Sequence, residues 1–180
     1  MIYIFLADGF EEIEALTPVD VFRRAGLSTL TVSITGKHTV VGSHNIAVVA
    51  DALLSDVNLS DADLLLLPGG MPGTKYLGEC KELCYAVTAH AAAGKPIAAI
   101  CAAPSVLGKL GLLSGKEATC YPGFEDALTG ATVSEKKVVR DGNTVTAAGM
   151  GVALEFSLEC LRLLGHADAA DAIRKGVIAE

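Results

Sequence analysis

Pro96-Ile97-Ala98-Ala99-Ile100-Cys101-Ala102-Ala103-Pro104-Ser105 is the stretch that decides the fold. Its apolar half, Pro96–Ile100, reads as a buried strand that stops at a cysteine. Small residues and Pro104 then open a helix over Ser105–Leu110. A strand that feeds at once into a helix leaves the junction side chain in a sharp turn. Backbone N–H groups gather there, and the positive end of the helix dipole faces the sulfur. Such a setting favours thiolate over thiol, and thiolate is the reactive form. Cys101 is therefore the first candidate catalytic residue.

Outward from this junction the chain alternates strand and helix. Ile2–Ala7 is an apolar strand. Phe10–Ala25 reads as a helix with acids in its first turn, Arg23 and Arg24 in its last, and Gly26 just past its end. Pro18 inside it predicts a kink or a split, with Thr17 as a second N-cap. Ser28–Ile34 is the next strand, and Val40–Val49, with Gly42 and Asn45 as turn residues, reads as a small hairpin or an edge excursion. Leu64–Leu67 is a fully apolar strand that ends at Pro68-Gly69-Gly70-Met71-Pro72-Gly73. Lys75–Ala93 reads as one helix. Ala118–Cys120 is a short strand, and Lys137–Arg140 with Thr144–Ala147 forms a hairpin around Asp141-Gly142-Asn143. Gly149-Met150-Gly151 opens a long helix to Leu164, and Ala167–Lys175 is the last. Apolar strands alternating with helices imply a mostly parallel sheet covered on both faces, in one α/β domain spanning 1–180.

In such sheets ligands bind beyond the carboxyl ends of the strands. Four loops of that kind stand out: Asp8–Glu11, Pro68–Gly73, Ile100–Pro104 and Ala148–Gly151. Glu14 is the second candidate catalytic residue. A 100° helical wheel puts Phe10, Ile13 and Thr17 on the inward stripe, with Glu14 one turn from Phe10. Glu11 and Glu12 read as surface acids favoured by the dipole. An inward carboxyl is costly without a partner or a task. The alternative pairs Glu14 with Arg23, Arg24 or a backbone N–H at the rim. If Glu14 faces Cys101, the two groups compete for ionisation and titrate as one unit. A cysteine nucleophile beside a carboxyl acid/base suits a reactive carbonyl. The N–H groups of Gly70 and Ala102, with Gly69 beside them, are the candidate oxyanion or anion donors.

Composition narrows the class. The 180 residues carry a formal net charge of −7 without a basic stripe, which argues against nucleic acid and an anionic membrane surface. No apolar run approaches the roughly 20 residues of a bilayer span. Met1–Leu6 lacks a positive n-region, so no signal peptide is expected. Five cysteines, Cys80, Cys84, Cys101, Cys120 and Cys160, imply reduced thiols and a cytoplasmic setting. Cys80 and Cys84 have no further ligands to complete a zinc set, so no metal is expected. No Gly-x-Ser-x-Gly elbow, complete dinucleotide fingerprint or phosphate loop is present. His38, His44, His90 and His166 adjoin no motif and read as surface or hydrogen-bonded residues.

Ala7-Asp8-Gly9-Phe10-Glu11-Glu12-Ile13-Glu14, Pro18-Val19-Asp20-Val21, Leu67-Pro68-Gly69-Gly70, Ala98–Pro104 and Gly149-Met150-Gly151 follow one another in an order that resembles the ThiJ/PfpI superfamily. The likeness is to the branch holding the parkinsonism-associated protein deglycase and bacterial YajL, and it covers essentially the whole chain. It implies a flavodoxin-like three-layer α/β/α sandwich, a nucleophile-elbow cysteine and a homodimer. The family's reactive cysteine matches Cys101, its glutamate Glu14, its amide donors Gly70 and Ala102, and its arginine Arg24 or Arg23. Members are described as glyoxalases acting on methylglyoxal without glutathione, as protein or nucleotide deglycases, and as oxidation sensors or chaperones, which implies no cofactor and a small reactive carbonyl or a glycated thiol or amine as substrate. Tyr121 stands where many deglycase relatives carry a histidine, so it enters as a supporting residue; a phenol donates a hydrogen bond but is a poor base near pH 7. Ala102 stands where the peptidase-like branch has histidine, which argues against a PfpI-type peptidase. Nothing in these residues supports a thiazole-biosynthesis role. The expectation is a glyoxalase/deglycase-type enzyme, with a redox sensor working through Cys101 as the alternative.

Overall fold

The computed structural model describes residues 1–179. Its centre is a seven-stranded sheet. Five of its strands carry the core and the site: β1 (Ile2–Leu6), β2 (Thr29–Ser33), β6 (Leu64–Leu67), β7 (Ile97–Ile100) and β11 (Thr144–Ala147). β5 (Ala52–Leu53) and β10 (Val138–Asp141) form the edges, and the order is β10-β11-β7-β6-β1-β2-β5. Every pairing is parallel except β10 with β11. The period of two along each strand sends alternate side chains to opposite faces. Ile2, Ile4 and Leu6 join one core with Leu64, Leu66, Phe22 and Phe156, while Tyr3 and Phe5 join a second with Leu65, Leu67, Leu83 and Leu107. Helices α1 (Glu12–Arg24), α5 (Ala153–Leu163) and α6 (Ala167–Gly176) cover the first face. Helices α2 (Gly73–Glu79), α3 (Lys81–Ala92) and α4 (Pro104–Lys109) cover the second. This is the flavodoxin-like three-layer arrangement expected from the sequence.

Small ribbons complete it. β3 (Thr39–Val41) and β4 (Ala47–Val49) form the expected hairpin, and β8 (Glu117–Ala118) pairs with β9 (Thr132–Val133). Among the described residues no helix is long and apolar enough to cross a membrane.

Three readings of helices are corrected. α1 is continuous through Pro18, with no second cap at Thr17. The proline removes one backbone hydrogen bond, and burial of Val19, Val21 and Phe22 on the same helix holds it together. The helix read over Lys75–Ala93 is two helices, because Cys80 is extended (φ −74°, ψ 97°). Gly149-Met150-Gly151 gives a single 3-10 turn, Met150–Val152, before α5 begins.

Candidate active site

The sheet order reverses at β1. From there the chain runs outward through β2 to β5, then returns to β6 on the other side of β1 and continues to β7 and β11. The crevice of a doubly wound sheet lies at such a reversal, beyond the strands' carboxyl ends. The loops after β1, β6, β7 and β11 meet there. Glu11 N–H donates to Gly69 O (2.9 Å), Cys101 N–H to Ala147 O (2.8 Å) and Tyr121 N–H to Cys101 O (2.7 Å).

Cys101 sits directly between β7 and α4 with φ +65°, a conformation that costs a non-glycine residue about 1–3 kcal/mol. The hydrogen bond from its own N–H to Ala147 O and that from Tyr121 to its carbonyl hold it there. The side chain is half-buried. The N–H groups of Gly70 and Ala102 are directed at the sulfur itself and act to lower its pKa. Any negative charge on sulfur, or on oxygens attached to it, meets two donors.

Glu14 is 1% exposed. Its Oε2 accepts from Gly69 N–H at 2.9 Å, and the backbone of Met150 adds a second hydrogen bond. This combines the two sequence readings: the carboxyl takes a backbone N–H, but deep beside the cysteine rather than at the rim. Gly69 makes the approach possible. A Cβ there would stand 2.5 Å from Glu14 Oε2 and 2.7 Å from Cys101 Cβ.

Burial pushes the Glu14 carboxyl up to about 7, against the lowering effect of its hydrogen bonds with Cys101 and Gly69. Burial, followed by the Glu14 charge and the hydrogen bond to it, pushes the Cys101 thiol up to about 12. The pair therefore loses its first proton near neutrality and holds the second far beyond it. The expectation of a thiol already ionised by its turn and dipole is corrected here. α4 is only six residues long, and desolvation together with a neighbouring carboxylate outweighs its dipole. As pH passes through 7 the pair acquires one negative charge, and the thiol keeps its proton beside the carboxylate.

Other expected residues divide. Tyr121 is half exposed, and its ring lies against Gly149 at the rim, where a Cβ on that glycine would be 3.4 Å from Cδ2. Arg24 is not at the site. It is exposed, ten residues and about 15 Å along α1 from Glu14, and pairs with Asp20 at 2.6 Å. Arg23 is likewise engaged by Asp51 and Thr29 O. Ile13 was expected inward and is 47% exposed, whereas Glu12, expected at the surface, is 3% exposed. The turn of the β3–β4 hairpin, which helical periodicity does not see, covers Glu12: His44 N–H donates to its Oε1 at 2.8 Å. His90 is buried and bonded to Pro96 O. Met150's contribution had no signal in the sequence, because a backbone group carries it. A groove of about 420 Å³ between residues 54–60 and α3, lined by Tyr85 and His90, lies at the opposite end of the sheet from Cys101.

A family model described as the DJ-1/PfpI family matches residues 1–163. The chain belongs to the DJ-1/PfpI family. It is 36% identical over 177 residues to Protein dj-1beta of Drosophila melanogaster, covering 97% of this chain and 95% of that protein. It is 42% identical over 173 residues to Protein DJ-1 homolog B of Arabidopsis thaliana, covering 94% of this chain but 40% of that longer protein. It spans 45% of the length of the Arabidopsis homolog A. The structure of oxidized Toxoplasma gondii DJ-1 superposes with a TM-score of 0.94 at 35% identity, covering 98% of this chain and 97% of that one. The flavodoxin-like fold is thus shared with DJ-1 structures along essentially the whole DJ-1/PfpI chain.

Proposed function

We propose that this DJ-1/PfpI protein is a cofactor-independent enzyme that converts 2-oxoaldehydes such as methylglyoxal, or their early glycation adducts, to 2-hydroxy acids. The observation that carries the reading is the buried Glu14 carboxyl hydrogen-bonded to Cys101 beneath two N–H donors. The Glu14 carboxylate takes the thiol proton as the sulfur attacks the aldehyde carbon and passes it to the carbonyl oxygen, which gives a hemithioacetal and restores the carboxylate. The Glu14 carboxylate then removes the hydrogen of that carbon as a proton and returns it to the neighbouring keto carbon, while the hydroxyl proton of the hemithioacetal passes to the keto oxygen. The aldehyde carbon is oxidised and the keto carbon reduced, so no outside redox partner is required. The product is a 2-hydroxyacyl thioester on Cys101. Water hydrolyses it, releasing lactate and the thiol. Gly70 and Ala102 N–H groups, with Gly69 holding the carboxyl, supply the fixed dipoles for developing negative charge. Tyr121, whose ring lies against Gly149 at the rim, is assigned to the substrate's second oxygen.

The test is lactate formation from methylglyoxal by the purified protein. Cys101→Ser is expected to abolish it, and a serine variant as active as wild type would remove the nucleophile from this scheme.

A second reading has its own observation. Two N–H donors aimed at sulfur, with Glu14 alongside, also suit a sulfinate, and the Toxoplasma relative is named in an oxidized form. Cys101 then acts as a redox sensor in oxidative stress. Mild peroxide followed by mass spectrometry decides: oxidation confined to Cys101 supports it, and equal oxidation of all five thiols overturns it. For either role the chain is read as a homodimer acting in the cytoplasm.

A further inference from the structure

Four polar atoms outside the cysteine site converge on one point. Ser43 and His44, in the turn of the β3–β4 hairpin, face Glu11 and Glu12 at the start of α1. His44 Nδ1 lies 2.9 Å from Glu12 Oε2 and 3.5 Å from Glu11 Oε2. Ser43 Oγ lies 3.1 Å from Glu11 Oε2, 3.3 Å from Glu12 Oε2 and 3.1 Å from His44 Nδ1. These separations are five of the six edges of a tetrahedron. Donors about 2.0–2.2 Å from a tetrahedral zinc ion stand about 3.3–3.5 Å apart, so a small expansion of the cluster brings every donor to bonding range.

The surroundings are those of a supported ligand set. Glu12 is a buried carboxylate, and its other oxygen, Oε1, is fixed by His44 N–H at 2.8 Å, which leaves Oε2 directed at the cluster. Metal-binding carboxylates are oriented by outer hydrogen bonds of this kind. A Cβ at Gly42 would collide with the Glu12 carboxylate, so the turn that delivers Ser43 and His44 is bare where the carboxylate passes. Hydrogen bonds from Gly9 N–H to Val41 O (2.7 Å), Val41 N–H to Asp8 Oδ1 (2.9 Å) and Ser43 N–H to Phe10 O (2.8 Å) fasten the hairpin to the loop ahead of α1. Two carboxylates face one imidazole here, so the cluster attracts positive charge. A nitrogen with carboxylate oxygens is a donor set for zinc-class ions rather than for calcium, which takes oxygens alone in larger number.

We propose that Glu11, Glu12 and His44 bind a divalent zinc-class ion, with the Ser43 hydroxyl or a water at the fourth position. The cluster adjoins the cysteine site, since Glu11 N–H donates to Gly69 O, but it uses none of the groups that touch the sulfur and does not depend on the enzymatic reading.

The experiment uses the whole chain, freed of metal with a chelator. Zinc is titrated by calorimetry, and cobalt(II) is followed by visible absorption. One ion per chain is expected in wild type and in Cys101→Ser, with a tetrahedral cobalt spectrum that lacks a thiolate-to-cobalt charge-transfer band. His44→Ala, in a turn outside both cores, is expected to weaken zinc by at least about 100-fold, beyond the loss of an outer-shell partner, with sedimentation confirming an unchanged oligomeric state. Glu12→Gln should do the same, with circular dichroism reporting on its fold. Unchanged zinc affinity in His44→Ala, a thiolate band in the cobalt spectrum, or no binding by wild type overturns the proposal.

Discussion

At the scale of single residues, the chemistry rests on where one proton sits between Glu14 and Cys101. Glu14→Gln keeps an oxygen for the Gly69 N–H but has no proton to release. Its turnover of methylglyoxal is expected to fall by about 10²–10⁴-fold, the usual contribution of a positioned acid or base. The pH profile separates this from a packing defect. Wild-type activity should rise as pH passes through about 7, where the pair acquires its negative charge. In the variant that limb disappears, and iodoacetamide labelling of Cys101 then follows the thiol's own ionisation, without the carboxylate that raises it. The same carboxyl leaves a mark on stability. The unfolded chain releases this proton near 4.5 and the folded chain holds it to about 7. Between those values the unfolded state binds fewer protons, so stability declines as pH rises, by on the order of 3 kcal/mol in all. Denaturant titrations at pH 4.5 and 7.5 should show that decline in wild type and its loss in Glu14→Gln; a flat wild-type profile would mean Glu14 ionises normally. Gly69→Ala drives a methyl between carboxyl and sulfur, and is expected to cost about 1–3 kcal/mol and end reactivity at Cys101.

At the scale of elements, α4 is the support for the cysteine turn, and Gly108 sets how closely it packs. A Cβ at Gly108 would stand 2.8 Å from Leu128 Cα, against the short 3-10 turn Glu125–Ala127. Gly108→Ala is expected to destabilise the fold by about 1–3 kcal/mol and to slow alkylation of Cys101, read by thermal melting and thiol labelling on the same sample. Elements also show what the sequence makes legible. The strands Leu64–Leu67 and Ile97–Ile100 are apolar on both faces, so local pattern alone places them, and their order gives the three layers. Cys101 and Glu14 were legible for related reasons: one stands at a strand end, the other is a carboxyl among apolar neighbours. Glu12 was not, because its cover comes from a hairpin some thirty residues on, outside any helical period. The break at Cys80 was not legible either, since no glycine or proline occupies the turn itself. The direction of the Cys101 shift is not legible, because the helix dipole is visible in sequence, whereas burial is not. Ile13 was misplaced because periodicity detects an apolar face without saying what covers it.

At the scale of the whole molecule, that misplaced face is evidence in its own right. Ile13 and Leu16 stand on the exposed side of α1, and Ile46 and Val49 are exposed on the hairpin fastened to it, with Val49 73% accessible. Single exposed apolar residues are ordinary, but several on adjoining elements mark a surface for association. The homodimer proposed above would close over these elements. Ile13 and Glu14 are neighbours on one helix, about 100° apart, one outward and one inward, so a partner pressing on Ile13 would brace the helix that carries the buried carboxyl. Sedimentation equilibrium at micromolar concentration should return twice the 18.5 kDa chain mass. Replacing Ile13 and Val49 together by aspartate removes about 1.5–3 kcal/mol of burial per side chain and sets like charges into the contact. Since each 1.4 kcal/mol is a factor of ten, the dimer should weaken by at least about 100-fold. If α1 is braced by its partner, the same variant loses methylglyoxal turnover as it becomes monomeric. Full activity in a monomer would confine the catalytic unit to one chain, and a wild-type protein sedimenting at 18.5 kDa would leave this face without a second copy to cover it.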